Sequence, residues 1–162
     1  MPVESVYARL EPLLPLLRKP VQYVGGEINS VVKDWDSADV RWALMYPDAY
    51  EVGIANQGIQ ILYEILNGCA GVLAERTYSV WPDAERVLRE HRIPQFTVDG
   101  HRPVRAFDVL GVSFATELGY TNLLAAGPGR HPAAGCRPGR GRSAGDRRRP
   151  RRVQPRAGRR FL

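Results

Sequence analysis

One stretch, Met45–Asn67 (MYPDAYEVGIANQGIQILYEILN), constrains the fold more than any other part of the chain. It begins in an apolar run typical of a buried strand, passes through a polar loop that contains glycine, and continues into a pattern typical of an amphipathic helix. A strand, a loop and a helix in this order form the unit that places a ligand at the carboxyl edge of a parallel sheet. The sequence therefore predicts that this loop lies at the carboxyl edge of a parallel sheet in an α/β fold, where ligands bind.

The same alternation continues along the chain. We predict strands at 39–46, 72–80, 94–98 and 107–114, and helices that run from about 56–58 to 67, from 82 to 91 and over 117–126. The buried stripe of the first helix is predicted at Ile59, Leu62, Ile65 and Leu66, and Asn67-Gly68 is predicted to end that helix. Strands that alternate with helices of this length favour a parallel sheet. A complete sheet of this kind has about five strands, so the predicted sheet is incomplete.

The chain divides by composition into three predicted segments. Residues 1–38 form an N-terminal arm, with a short helix limited by Pro12 and Pro15 and with a hairpin, or alternatively an extended segment, around Gly25-Gly26. Residues 39–126 form the α/β domain, and residues 127–162 form a disordered basic tail rich in Arg, Gly and Pro.

The basic character of the chain comes from the tail alone. Residues 127–162 hold 12 of the 23 Lys and Arg and one of the 17 acidic residues, so they carry +11, and residues 1–126 carry −5. An Arg-rich tail of this kind is typical of segments that bind RNA or another polyanion. It is also what a high-GC gene encodes when read in the wrong frame.

Back-translation favours the frameshift. When residues 128–137 are read one base later, suitable codons give DLAGIPLLAAD, which continues the third helix and begins a strand. The same shift over 145–161 allows an AGG…AFNPEP segment, with a Gly-Gly turn and a Pro-Glu-Pro loop. We therefore interpret 127–162 as an out-of-frame tail whose charge carries no functional information.

Cysteine content and hydropathy limit the cellular location expected for the protein. Cys69 and Cys136 are too few for a disulfide framework or a zinc site. No apolar run approaches the roughly 20 residues that cross a bilayer, and the N-terminal segment does not have the pattern of a signal peptide. We expect a cytoplasmic protein with no membrane partner.

Five blocks of sequence stand in order within the first 126 residues: GGEINSVVKDW (25–35), YPDAYEVGIANQGIQILYEILN (46–67), LAERTYSVWPD (73–83), LREHRIPQF (88–96) and FDVLGVSFATELGYTN (107–122). Together they resemble the amino-terminal part of a radical SAM protein family whose members carry a cobalamin-binding-type domain before an iron–sulfur barrel. The resemblance covers about residues 20–126, and the out-of-frame reading extends it.

This resemblance implies a Rossmann-like, cobalamin-binding-type domain, here partial, and a radical SAM barrel that is missing from the chain. In that barrel three cysteines at C-x3-C-x2-C spacing hold a [4Fe–4S] cluster that cleaves S-adenosylmethionine. Cys69 and Cys136 do not have this spacing, so we expect no metal site and no catalytic residue in this chain. Cobalamin is a possible cofactor by the same resemblance, and the missing barrel is the expected partner.

The candidate site residues follow two predicted strands at the same edge of the sheet. They are candidates for cofactor binding or for a domain interface. The loop after the first strand supplies Asp48, Tyr50, Glu51, Asn56 and Gln57, and the strand at 107–114 is followed by Glu117, Tyr120 and Asn122. The alternative is loop architecture, with Asp48 and Asn56 as caps and with Gly53 and Gly58 permitting tight backbone. Asp99-Gly100-His101 is predicted to be a solvated turn, since cobalamin-ligating histidines stand in D-x-H-x-x-G motifs and position 104 is Val.

Three functions remain open from the sequence. The first is a truncated, non-catalytic N-terminal fragment of a radical SAM, iron–sulfur-dependent protein whose substrate is open. The second is a small module that binds RNA or another polyanion through its Arg-rich tail. A free-standing cofactor-binding module that acts with a separate partner is a third reading.

Overall fold

The computed structural model describes residues 3–117 and 119–126, and its centre is a three-stranded parallel sheet. The strands are β1 (Val40–Ala49), β2 (Val72–Ser79) and β3 (Val109–Val112), in the order β2-β1-β3. The described helices are α1 (Tyr7–Leu10), α2 (Tyr50–Ile54), α3 (Gln57–Gly68), α4 (Pro82–Glu90) and α5 (Gly119–Ala126), and 3₁₀ segments cover Glu11–Leu16, Pro20–Tyr23 and Val104–Ala106. The predicted α/β class with a parallel sheet and flanking helices is confirmed.

Strand register brings the carboxyl ends of the strands to one edge. Pairing of β1 with β2 runs from Val40 opposite Val72 to Tyr46 opposite Tyr78, and resumes at Ala49 opposite Ser79 after an irregularity. Pro47 and Asp48 fall in this irregularity, where a proline costs no ladder hydrogen bond. Asp48 is therefore free of strand pairing and exposed at the edge of the sheet.

Helix α3 covers one face of the sheet, but not with the stripe that its sequence predicts. Ile59 is buried as expected, whereas Leu62 and Ile65 are 46% and 58% exposed. Tyr63 takes their place in the core, together with Leu44, Tyr46, Ala74 and Tyr78 of the sheet. Because α3 is apolar on two faces, hydrophobic spacing alone did not determine which face meets the sheet.

The end of α3 is joined to β2 by the buried side chain of Asn67. Its Nδ2 donates to the carbonyl oxygen of Ala74 and its Oδ1 accepts from the amide of Ala74, both at 3.0 Å. Gly68 is the last residue of the helix, and Cys69 then continues in extended backbone. The end of the helix is where the sequence predicts it, but the side chain of Asn67 acts as a link between elements rather than as a cap.

The outer edge of β2 is covered by residues 96–103. The amide of Val98 donates to the carbonyl of Arg76 at 2.8 Å, and the amide of Arg76 donates to the carboxylate of Asp99 at 2.7 Å. The predicted strand at 94–98 is wrong, since within the described residues this segment makes only an isolated antiparallel bridge between Phe96 and Pro103. A covered edge offers no template for another strand.

Two ion pairs lie under this cover: Arg76 with Asp99, which is fully buried, and Arg102 with Glu75, in which the Arg102 side chain is 21% exposed. Arg76 Nη2 lies 2.7 Å from Asp99 Oδ1, and both side chains are at most 2% exposed. Burial lowers the pKa of Arg76, but the hydrogen bonds and charge of Asp99 outweigh burial and raise it. On β2 next to Arg76, burial raises the pKa of Glu75, although hydrogen bonds from Thr97 and Arg102 oppose the rise.

The N-terminal arm packs on α4. Its apolar side chains form one core cluster with Ala84, Val87 and Leu88 of that helix and include Val6, Leu10, Leu13, Leu17 and Tyr23. The predicted hairpin around Gly25-Gly26 is not formed, because Pro20–Tyr23 is a 3₁₀ segment and no strand lies at 21–32. Pro20 fixes the backbone at the start of that segment and removes a hydrogen-bond donor that a strand would need.

The predicted disordered tail, 127–162, lies outside the described residues. Within the described part, no helix is long and apolar enough to pass through a bilayer. The three-segment division of the chain stays a prediction, as does the cobalamin-binding-type character of the sheet.

Candidate functional site

A cleft of about 280 Å³ opens at the carboxyl edge of the sheet. Its walls come from the ends of β1 and β2, the first turns of α4, the segment after α4, and α5. The lining residues are Asp48, Ala49, Ser79, Val80, Trp81, Pro82, Glu85, Leu88, Gln95 and Asn122. The cleft opens beside the ends of β1 and β2, at the carboxyl edge where open α/β sheets bind ligands.

Asp48 and Asn122 bring the two predicted loops together. The Nδ2 of Asn122 donates to the carbonyl oxygen of Pro47 at 3.0 Å, so α5 is tied to the residue just before Asp48. Asp48 Oδ1 accepts from the amide of Ala49 at 2.7 Å, which holds the carboxylate against its own loop. These two of the eight candidate residues line the cleft.

Tyr50 and Glu51 reach towards the N-terminal arm, and Glu51 also accepts from Nε1 of Trp81 in the cleft wall at 3.4 Å. The Tyr50 hydroxyl donates to the Glu27 carboxylate, and burial, followed by this contact, raises the pKa of the phenol. Glu51 pairs with Lys19, which lowers the pKa of Glu51 to about 2. Both side chains therefore attach the arm to α2.

The other four candidate residues lie outside the cleft. Asn56 is the N-cap of α3, and its Oδ1 accepts from the amide of Ile59 at 3.1 Å, which is the architectural role that the sequence offered as an alternative. Gln57 and Glu117 are exposed. Tyr120 is 56% exposed and stacks on Phe114 with ring centroids 4.7 Å apart.

Gly53 allows α2 to lie close to the sheet. A Cβ atom at this position would stand 2.2 Å from Cδ1 of Tyr78, so only glycine fits. This contact agrees with the prediction that Gly53 permits tight backbone. It fixes the position of α2 directly after β1, where the sequence predicted a loop rather than a helix.

Sequence reasoning missed three polar residues of the cleft: Ser79, Glu85 and Gln95. Ser79 ends β2 at the same edge where Asp48 ends β1, and that position was a usable signal. Glu85 pairs with Arg89 within α4. The Nε2 of Gln95 donates to the Thr77 hydroxyl at 2.9 Å and to the carbonyl of Tyr78 at 2.7 Å, which are contacts that only the folded chain creates.

The cleft is suited to binding rather than to nucleophilic catalysis. Ser79 has no histidine or lysine among the lining residues to activate its hydroxyl. Asp48 and Glu85 make the walls acidic, and the indole of Trp81 adds an exposed aromatic surface. Such walls favour a polar or cationic group, or a protein segment that presents one.

A metal cofactor would need a set of ligands that the described residues do not bring together. Between residues 3 and 126, Leu118 excepted, no three His, Cys, Asp or Glu side chains cluster as ligands of a metal ion would. Cys69 is exposed, and its thiol contacts the carbonyl of Ile65 at 3.3 Å. These residues do not fit a [4Fe–4S] cluster.

His101 differs from its prediction, because it is buried rather than solvated. Its side chain is enclosed by the rings of Tyr7 and Phe96, at 4.7 and 5.9 Å between centroids. Its Nε2 is 2.8 Å from the carbonyl oxygen of Tyr23. The imidazole is committed to packing the arm and does not fit the role of an axial ligand to cobalamin.

Comparison with known proteins gives one match. A family model described as "Radical SAM proteins, N-terminal" matches residues 58–126, from the first turn of α3 to the end of α5. No curated protein and no solved structure matches significantly. Over residues 58–126, the chain is therefore similar to the amino-terminal region of radical SAM proteins.

Proposed function

We propose that residues 39–126 are the non-catalytic, partly complete N-terminal domain of a radical SAM, iron–sulfur-dependent protein. The observation that carries this proposal is the family match over 58–126, which falls on the elements that follow the Asp48 loop. The parallel sheet, with its crevice at the carboxyl edge, supports it. The substrate stays open.

The chemistry of such a protein would come from a separate barrel. When bound there, a [4Fe–4S] cluster supplies the electron that cleaves S-adenosylmethionine. The two cysteines of this sequence, at 69 and 136, cannot provide a C-x3-C-x2-C set of ligands. The role proposed for this chain is to bind and orient, and the barrel is its proposed partner.

The cleft is the proposed contact surface for the barrel or its substrate. Its acidic side chains and its indole lie at the edge where α5 joins the Asp48 loop. Tyr50 and Glu51, which the sequence made candidates for this contact, hold the arm instead. Of the eight predicted residues, Asp48 and Asn122 therefore remain the candidates for the interface.

Cobalamin binding is a separate question with its own test. Since His101 is buried against Tyr23, it would not contact a corrinoid held by this domain. The test is the visible spectrum of cobalamin mixed with the chain, compared between the wild type and His101→Ala. A His101-dependent spectral change would contradict this reading.

The experiment that tests the proposed function begins with the DNA. The gene is sequenced across the codons for Leu123–Arg137 and past the stop, and the restored frame is then expressed. We expect a downstream C-x3-C-x2-C motif, the absorbance and electron paramagnetic resonance signal of a [4Fe–4S] cluster, and reductive cleavage of S-adenosylmethionine. If the reading frame stands as given and the stop is genuine, the proposal fails.

The charge of the tail supports a second candidate function. The +11 carried by 127–162 would bind RNA or another polyanion, with an affinity that falls steeply as salt rises. Filter binding of single-stranded RNA at salt concentrations from about 50 to about 200 mM, where six or more phosphate contacts lose roughly 10³-fold or more in affinity, tests this reading. Removal of 127–162 should abolish the binding, and salt-insensitive binding by 1–126 would contradict it.

A further inference from the structure

The outward side of α3 is apolar although it is exposed to solvent. Ile61, Leu62 and Ile65 are 55%, 46% and 58% exposed. With about 3.6 residues per turn they fall on one side of the helix together with two exposed glycines, and we call this surface the outer face of α3: Gly58, Ile61, Leu62, Ile65 and Gly68. The one charged residue of α3 is Glu64, at the margin of this face. Surface helices usually turn charged residues to solvent, so the outer face indicates a contact surface.

The pattern of the outer face is the same in both directions along the helix. Gly58 and Gly68 each stand five residues from Tyr63, and Ile61 and Ile65 each stand two residues from it. A surface that contacts its own copy across a two-fold axis needs this property, because each residue must meet the residue at the equivalent distance on the other side. A contact with a different protein does not need it.

An extension of the sheet would leave the outer face exposed. Helix α3 packs against β1 and β2 through its opposite side, with Ile59 and Tyr63 in the core. Residues 96–103 already cover the outer edge of β2, so an added strand would pair with β3, on the far side of β1 from β2. That strand would lie in the plane of the sheet, whereas the outer face points away from it. The surface is therefore open to another chain.

We propose that the outer face of α3 joins two copies of this chain as an antiparallel helix pair. The two-fold axis passes beside position 63, so Ile61 of one copy contacts Ile65 of the other, and Gly58 lies opposite Gly68. The four isoleucines form the apolar centre, and the glycines at both ends let the helices approach closely. Antiparallel helices also place the positive N-terminal end of one beside the negative C-terminal end of the other. This inference goes beyond the proposed function and does not depend on it.

The dimer should be weak, and its concentration dependence is the first measurement. A pair of 12-residue helices buries less area than the roughly 1,200–2,000 Å² of a standard interface. We therefore expect sedimentation velocity of the full 162-residue chain to show a monomer at about 10 µM and an increasing share of dimer towards about 1 mM. A reductant prevents disulfides of Cys69 and Cys136, and about 0.5 M salt screens the basic tail. A chain that stays monomeric over this range overturns the proposal.

Two charge substitutions test the antiparallel pairing. Ile61→Glu and Ile65→Lys each place a charge against an isoleucine of the other copy, and the two-fold axis repeats that contact. Each variant alone should therefore dimerise at least about 10-fold more weakly than the wild type. In an equimolar mixture, the new carboxylate meets the new ammonium group, while the unchanged isoleucines meet at the second contact. Mixing should restore most of the association, and a mixture as monomeric as either variant overturns the pairing.

Leu124→Lys is the matched control. Leu124 is 71% exposed on α5, which packs on the sheet outside the outer face, so this substitution should leave dimerisation unchanged. All three substitutions change exposed side chains, and Tm at about 10 µM should therefore match the wild type, which shows that a lost dimer is not an unfolded chain. A dimer that Leu124→Lys abolishes and Ile65→Lys retains would overturn the proposal, because it would place the contact on α5.

Discussion

At the scale of single residues, the most consequential feature is the pair formed by Arg76 and Asp99. Asp99 accepts from the amide, Nε and Nη2 of Arg76, and the guanidinium lies 4.3 Å from the ring centroid of Tyr63. The Asp99 carboxylate therefore accepts hydrogen bonds from both the backbone and the side chain of Arg76. The sequence offered Asp99 only as part of a turn.

Asp99→Asn should lower the free energy of unfolding by about 3–5 kcal/mol, because it leaves Arg76 buried without a counter-charge. Urea denaturation followed by circular dichroism measures the change. Glu90→Gln is the control, since Glu90 pairs with Arg86 in the open at 56% and 66% side-chain exposure and should change stability by at most about 0.5 kcal/mol. A loss below about 1 kcal/mol for Asp99→Asn would show that the pair is dispensable.

Glu75 should contribute a distinct pH dependence. Burial raises its pKa in the folded chain above the ordinary value of 4.5, so the folded chain binds this proton more tightly than the unfolded chain does. The stability linked to Glu75 is therefore fully present below pH 4.5 and is lost as the pH rises through the folded pKa.

We expect Glu75→Gln to flatten this part of the profile of Tm against pH. The Tm of the variant should therefore rise relative to the Tm of the wild type as the pH rises. Glu64→Gln, at an exposed position on α3, should follow the wild-type profile. Parallel profiles for Glu75→Gln and the wild type would contradict the assigned shift.

At the scale of elements, the placement of α2 and α3 depends on close contact and on polar links. Gly53 brings α2 against Tyr78, and Asn67 joins the end of α3 to Ala74. Between them, Asn56 caps the start of α3. Three small or polar residues therefore position a helical segment whose apolar residues could have packed in more than one way.

Gly53→Ala should destabilise the chain by about 1–3 kcal/mol, because its methyl group would overlap the ring of Tyr78. Gly68→Ala is the matched change at the last residue of α3, where the added methyl group would have no neighbour within 4 Å. It should be neutral or stabilising by up to about 1 kcal/mol, as helix propensity favours alanine. Thermal unfolding measures the change in stability of each variant. Equal changes for Gly53→Ala and Gly68→Ala would argue against the close approach of α2 to the sheet.

At the scale of the whole molecule, the two edges of the sheet differ. Residues 96–103 cover β2, whereas β3 is only four residues long and, within the described residues, pairs only with β1. Leu110, Phe114 and Leu124 on that side are 37%, 40% and 71% exposed. If residues 127 onward are out of frame, as we propose, the sequence read one base later is predicted to continue α5 and begin a strand, which would place apolar residues beside them.

Restoring the frame should therefore raise Tm by several degrees. Burial of a side chain such as Phe114 or Leu124 contributes about 1.5–3 kcal/mol, and about 1 kcal/mol corresponds to about 2–8 °C. Differential scanning calorimetry of the 162-residue chain and of the frame-restored chain measures the difference. An unchanged Tm would mean that the restored segment does not complete the sheet.

The amino-acid sequence by itself determined strands β1, β2 and β3, helices α3, α4 and α5, the parallel class, the cap at Asn56 and the edge at which Asp48 and Asn122 meet, but not helix α2 or the irregular backbone at 94–98. These depend on patterns within some ten residues, or on the rule that parallel strands end at one edge. The tertiary structure alone decided which face of α3 is buried, why Asp99 and His101 are enclosed, and why Tyr50 and Glu51 turn to the arm. The hydrogen-bond partners of Tyr50, Asp99 and His101 that fix these positions lie 23 to 78 residues away in the sequence, so local patterns could not reveal them.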